Sequence, residues 1–176
     1  MDTELGELLT RCTIRAAVAC YLGRVLLDVR FLRPGSRRMP SMIYRLARWL
    51  WSAAGALAVV HVVLAMGVFH GWSHEAAYRH TARETAAVTG LAWGGGLYVN
   101  YAFVALWMAD IAAWWLRGPT FPYRRRAFFW TVQIVFAFIM LNATVVFGPP
   151  LWRWVAAGAA AALVLARFAG PRDRRG

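Results

Sequence analysis

The sequence predicts an all-α integral membrane protein: four transmembrane helices in a bundle, preceded by a cytoplasmic amphipathic helix that lies at the interface. Three observations point there. Of 176 residues, 60% are apolar and only 16% charged, against about 45–50% and about 25% in soluble domains. The apolar residues fall into four runs of roughly membrane-crossing length. All 20 basic residues are arginine, set in blocks between those runs, which is the pattern that encodes membrane topology. A net charge of +12 in a soluble chain would raise nucleic-acid binding. Distributed this way, it argues for a lipid bilayer and against nucleic acid.

The chain opens with MDTELGELL, which is acidic where a signal peptide requires positive charge, so the first span is expected to be retained. Residues 4 to 30 read as a helix, with Glu4, Glu7, Arg11 and Arg15 on one face and Leu5, Leu9, Cys12, Ala16 and Ala19 near another. Its charges make it a poor span. The expectation is an arm over residues 1–40 at the cytoplasmic surface, its arginines toward anionic lipid. Pro34-Gly35-Ser36 and Pro40 end it, and Ser41 is placed to cap the next helix.

The membrane domain occupies residues 41–170. Its first span is Trp49 to Phe69, bounded by Arg45 and Arg48 on one side and His70 on the other; 21 residues at 1.5 Å each cross a core of about 30 Å. Gly71 and Ser73 then close one helix and cap another running to about Thr89, stopped by Gly90. This outer helix carries Glu75, Arg79 and Arg83 four residues apart, a self-neutralising row. The second span, about 92–116, is interrupted only by Asp110, and Gly94-Gly95-Gly96 near its start permits close helix contact or a bend. The third, 127–147, follows Arg124, Arg125 and Arg126 and is closed by Gly148-Pro149-Pro150. The fourth, about 151–169, tolerates Arg153 because an arginine near a helix end reaches the headgroups. Residues 171–176 form a basic cytoplasmic tail.

Counting arginines orients these spans. Seventeen of the 20 lie in 1–48, 117–126 and 167–176, all on one side of a four-span arrangement, which places both termini in the cytoplasm of a bacterial inner membrane. Tryptophans prefer the two interfaces and agree: Trp72, Trp93, Trp152 and Trp154 fall at outer ends, Trp49, Trp51, Trp114, Trp115 and Trp130 at inner ends, and Trp107 inside.

Chemistry is concentrated in the histidines, since His61, His70, His74 and His80 lie within twenty residues. On a continuous helix turning about 100° per residue, His70, His74, His80 and Glu84 share one face, which makes them a candidate site for a transition metal. A zinc-protease helix is excluded, because His74-Glu75 is followed by Tyr78 where the second histidine belongs. No nucleophile elbow, phosphate loop or dinucleotide fingerprint occurs. His61 falls near the membrane midplane, where Met140 is the candidate second axial ligand for a b-type haem; a hydrogen bond to a backbone or asparagine oxygen is the simpler role. Counting residues from each span's midpoint also predicts two polar layers, Asn100 with Asn142 toward the outside and Asp110 with Gln133 toward the inside, each bond contributing about 0.6 kcal/mol. Gly158, Ala162 and Ala166 form a smooth stripe suited to helix packing. Cys12 and Cys20 have neither disulfide nor zinc spacing.

Together these features favour a small non-catalytic or accessory component of a membrane assembly, with other membrane subunits or copies of itself as partners. The alternatives are a haem- or metal-binding redox protein built on the histidines, and a small transporter or proton pathway through His61, Asn100 and Asp110.

Overall fold

The computed structural model describes residues 3–31, 40–123 and 126–168. The Pro34-Gly35-Ser36 break, Arg124, Arg125 and the 171–176 tail lie outside the described residues. Among those described, all regular structure is helical: α1 (Thr3–Phe31), α2 (Ser41–His70), α3 (His74–Thr89), α4 (Gly96–Arg117), a 3-10 turn (Gly118–Tyr123), α5 (Arg126–Leu141) continued by a π turn (Asn142–Val146), and α6 (Leu151–Phe168). Three of these, α2, α4 and α6, are long and apolar enough to cross a membrane, and Thr131–Val146 forms a shorter apolar helix.

Large apolar side chains face outward as well as inward, and a few polar groups are enclosed. Thr10, Arg24, Asp28 and Asp110 are buried, while Leu116, Phe168 and Trp154 are each more than three-quarters exposed. No residue of α6 is buried. When the surrounding solvent is hydrocarbon, apolar side chains lose nothing by facing it and polar groups must find partners inside.

The sequence expectation fails most clearly at α1. Instead of forming a separate arm, α1 packs antiparallel along α2: His61 bonds the Thr10 carbonyl, Gly23 faces Leu50, and Tyr21 and Arg24 lie against Trp51. The start of α1 therefore lies beside the end of α2. Leu5, Leu9, Cys12, Ala16 and Ala19 do share a side, but that side is exposed. The buried line is a third one, Gly6, Thr10, Ala17, Tyr21, Arg24 and Asp28, spaced by three, four or seven residues as one helix face requires. A surface arm would leave Arg24 and Asp28 in water; docked on α2, they are enclosed.

Helix ends follow local chemistry. Gly71 closes α2 in the left-handed conformation with φ 54°, which a side chain resists, and Trp72 follows at φ 62°. Ser73 caps α3 by accepting the Ala76 N–H at 3.2 Å, and Gly90 ends it. Ser41 does not act as the cap of α2: Pro40 holds that position without a side-chain bond. The glycine triplet allows the expected close contact, because a Cβ on Gly94 would fall 2.6 Å from the Tyr78 ring.

The core is aromatic and draws on four helices. Phe136 of α5 stacks with Tyr21 of α1 at 6.3 Å between ring centroids, and lies 4.9 Å from Trp51 of α2 and 5.1 Å from Trp107 of α4. Trp51, Trp107 and Trp114 are fully buried, so Trp51 and Trp114 belong to the interior and not to an interfacial belt. Trp49, Trp72, Trp93, Trp115 and Trp154 are exposed, as belt residues would be.

The direction of α1 is directly testable. With Cys12 and Cys20 replaced by serine, a membrane-impermeant maleimide added to sealed vesicles should label Leu5→Cys and Glu84→Cys from the same side, and Met42→Cys from the other. Joint labelling of positions 5 and 42 would contradict the packing.

Candidate functional site

Arg24 is 1% exposed. Its Nη1 donates to Asp28 Oδ2 one turn along α1, the spacing that aligns oppositely charged side chains on a helix. Its guanidinium carbon lies 5.0 Å from the Trp51 ring centre and 4.9 Å from that of Trp114. A cation against desolvated indole faces gains about 2 kcal/mol or more. Trp51 in turn donates its Nε1–H to Asp110 Oδ2 at 3.0 Å, and Tyr44 stacks on Trp114 at 5.6 Å while donating its hydroxyl to the Trp114 carbonyl at 3.0 Å. One indole thus joins the charges of two helices, its face to Arg24 of α1 and its N–H to Asp110 of α4. Arg24 Nε and the indole N–H groups of Trp107 and Trp114 are buried without a hydrogen-bond partner among the described residues.

This centre lies within the apolar length of the bundle. Trp51 sits 4–5 residues from the midpoint of α2, toward its arginine-rich end, and Asp110 sits 3–4 residues from the midpoint of α4 on the same side, depths of about 5–7 Å. Ionisable groups at such depth are the default sites of function in membrane proteins. What the arrangement does chemically is hold charge in fixed pairs, with the guanidinium neutralised by Asp28 and Asp110 anchored by Trp51.

No protein-family model, curated protein or solved structure matches this chain.

The residues singled out from the sequence are dispersed. His70 and His80 approach each other, with ring centroids 5.3 Å apart, but His74 turns toward Tyr98 at 5.6 Å and Tyr101 at 5.9 Å. Glu84 is exposed. Among the described residues no three histidine, cysteine or acidic side chains form a metal-ligating group, which corrects the expected metal site. His74 and His80 lie six residues apart on the unbroken α3, about 120° around it, so they face different ways, and the turn at Gly71 and Trp72 brings His70 to His80 alone.

His61 lies 2.9 Å through Nδ1 from the Thr10 carbonyl. Since a carbonyl only accepts, Nδ1 carries the proton and donates. Met140 is buried in the aromatic core. The expected asparagine layer does not form: Asn100 is exposed, and the Asn142 amide donates to Phe138 of its own helix at 2.8 Å. Gln133 is half-buried, and Asp110 takes its bond from Trp51. On α6, Gly158 and Ala162 are exposed; the half-buried line is Trp152, Ala156, Ala159, Leu163 and Ala166.

Arg24 and Asp28 were the residues that sequence reasoning missed. Their signal was the four-residue spacing, with both on a different side of the helix from Glu4, Arg11 and Arg15.

Arg24→Met removes the guanidinium that Asp28 bonds inside the core and should cost about 3–5 kcal/mol of unfolding free energy in detergent; adding Asp28→Leu should restore part of that loss. Trp51→Phe keeps a ring face for Arg24 but drops the bond to Asp110, an expected loss of about 1–3 kcal/mol. Trp51→Leu should lose more in the same unfolding assay.

Proposed function

We propose that the protein is a multi-pass component of a bacterial inner-membrane assembly, non-enzymatic, with its arginine-rich end in the cytoplasm. In this reading α2, α4, α5 with its π turn, and α6 are the four spans, and α1 crosses beside α2 as a fifth. The C-terminus stays cytoplasmic. The N-terminus moves to the opposite side, which suits its acidic sequence and leaves most of the arginine bias in place, with only Arg11, Arg15 and Arg24 drawn into the span.

One observation carries the assembly role. Arg11 and Arg15 of α1 are exposed beside a stretch of α2 whose own charges are confined to its ends. Exposed to lipid there, a charge costs at least about 2.5–3.5 kcal/mol; against another protein it can be paired. The aromatic core around Arg24 gives such a subunit a rigid body on which to present that face.

Native mass spectrometry of the protein released in its own lipid should find the 19.7 kDa chain in a complex of fixed stoichiometry with at least one further polypeptide. A lone chain throughout would overturn the assembly role.

A further inference from the structure

Among the described residues Arg15 has no hydrogen bond or ion pair, whereas Arg11 is held by Glu7 at 3.0 Å. The pairings of Thr10 with His61 and Gly23 with Leu50 bracket Arg15 and set it opposite the middle of α2, near Leu57. From there each end of the 30-residue helix is about 20 Å away. Half a bilayer core is about 15 Å, well beyond the reach of a guanidinium on its stem. Lipid headgroups therefore do not satisfy Arg15.

Its immediate surroundings are shaped for a helix. At about 100° per residue, Arg15 borders the exposed line of Cys12, Ala16 and Ala19. Such small residues let a second backbone approach closely.

A second copy of this chain does not fit. In a dimer with both copies in the same orientation, Arg15 meets its own counterpart at the same depth. Among the described residues, Asp28 and Asp110 are buried, and the remaining carboxylates, Glu4, Glu7, Glu75 and Glu84, all lie toward the His70 end. None is available at the height of Arg15.

We propose that this strip of α1 docks a transmembrane helix of a different protein, one that carries an aspartate or glutamate at mid-depth to pair with Arg15. The proposal rests on α1 crossing the membrane, as in the function proposed above, and adds the chemistry of the partner. The carboxylate meets the guanidinium, and the flanking apolar surface packs on Cys12, Ala16 and Ala19.

The test uses the full chain with Cys20→Ser, reconstituted in phosphatidylcholine vesicles with a synthetic leucine-alanine transmembrane peptide. The peptide bears one central glutamate and a cysteine one turn away; a second peptide has glutamine in place of the glutamate. Disulfide formation with Cys12 should be about tenfold greater for the glutamate peptide, the discrimination expected of one strong polar contact between helices in a bilayer. Arg15→Gln should erase the difference and Arg15→Lys should keep most of it, with the unfolding of both variants unchanged because residue 15 is exposed. Equal yields from the two peptides would overturn the proposal, as would Cys12 linking mainly to a second copy at the same dilution. Those outcomes leave the membrane reading standing. If a membrane-impermeant thiol reagent instead reaches Cys12 in intact vesicles, α1 does not cross and both readings fall together.

Discussion

A guanidinium cannot shed its charge, so a fold that encloses Arg24 has to surround it with compensation. That requirement organises the bundle. Asp28 supplies the opposite charge from the next turn of α1, and Trp51 and Trp114 supply two ring faces from α2 and α4. To meet both indoles, α1 must lie along α2 with α4 alongside. The aromatic rings of Tyr21, Trp107 and Phe136 fill the adjoining core. Tyr44 and Asp110 then fix the two indoles from outside the cage, through the Trp114 carbonyl and the Trp51 N–H. Loss of one member takes a contact from another buried charge or donor, which is why a buried pair is costly to break.

The same solvent logic explains the outward faces. Leucines, phenylalanines and tryptophans cover α4, α5 and α6, an outer face that carries no penalty where hydrocarbon surrounds it. On α1 the outward face mixes an apolar line with Arg11 and Arg15. A purely lipid-facing helix has no use for these charges, and a purely internal one would enclose them as it encloses Arg24. The proposed partner helix at that edge would account for both parts of the pattern.

Much of this was legible in sequence. The capping chemistry of Ser73 and Gly90 placed α3, and the apolar runs located α2, α4 and α6. Two periodic lines of α1 were also readable, but the line that turns inward is a third. The line of Leu5, Leu9, Cys12 and Ala16 is the exposed one, and the line bearing Arg24 and Asp28 goes in. The histidines show the complementary error. Their common face was drawn too wide, since His74 and His80 stand about 120° apart on α3, and the turn at Gly71 breaks the phase that tied His70 to His74.

Composition and spacing alone therefore determined helicity, the number and length of apolar segments, and the arginine asymmetry, because each depends on residues within a few turns of one another. Tertiary structure alone decided that α1 runs back along α2, that Trp51 and Trp114 are core residues, that His61 bonds Thr10, and that His70 meets His80. Those outcomes join residues as distant in sequence as Arg24 and Trp114. They follow from which polar groups can satisfy one another once every helix is packed, a condition that no local pattern contains.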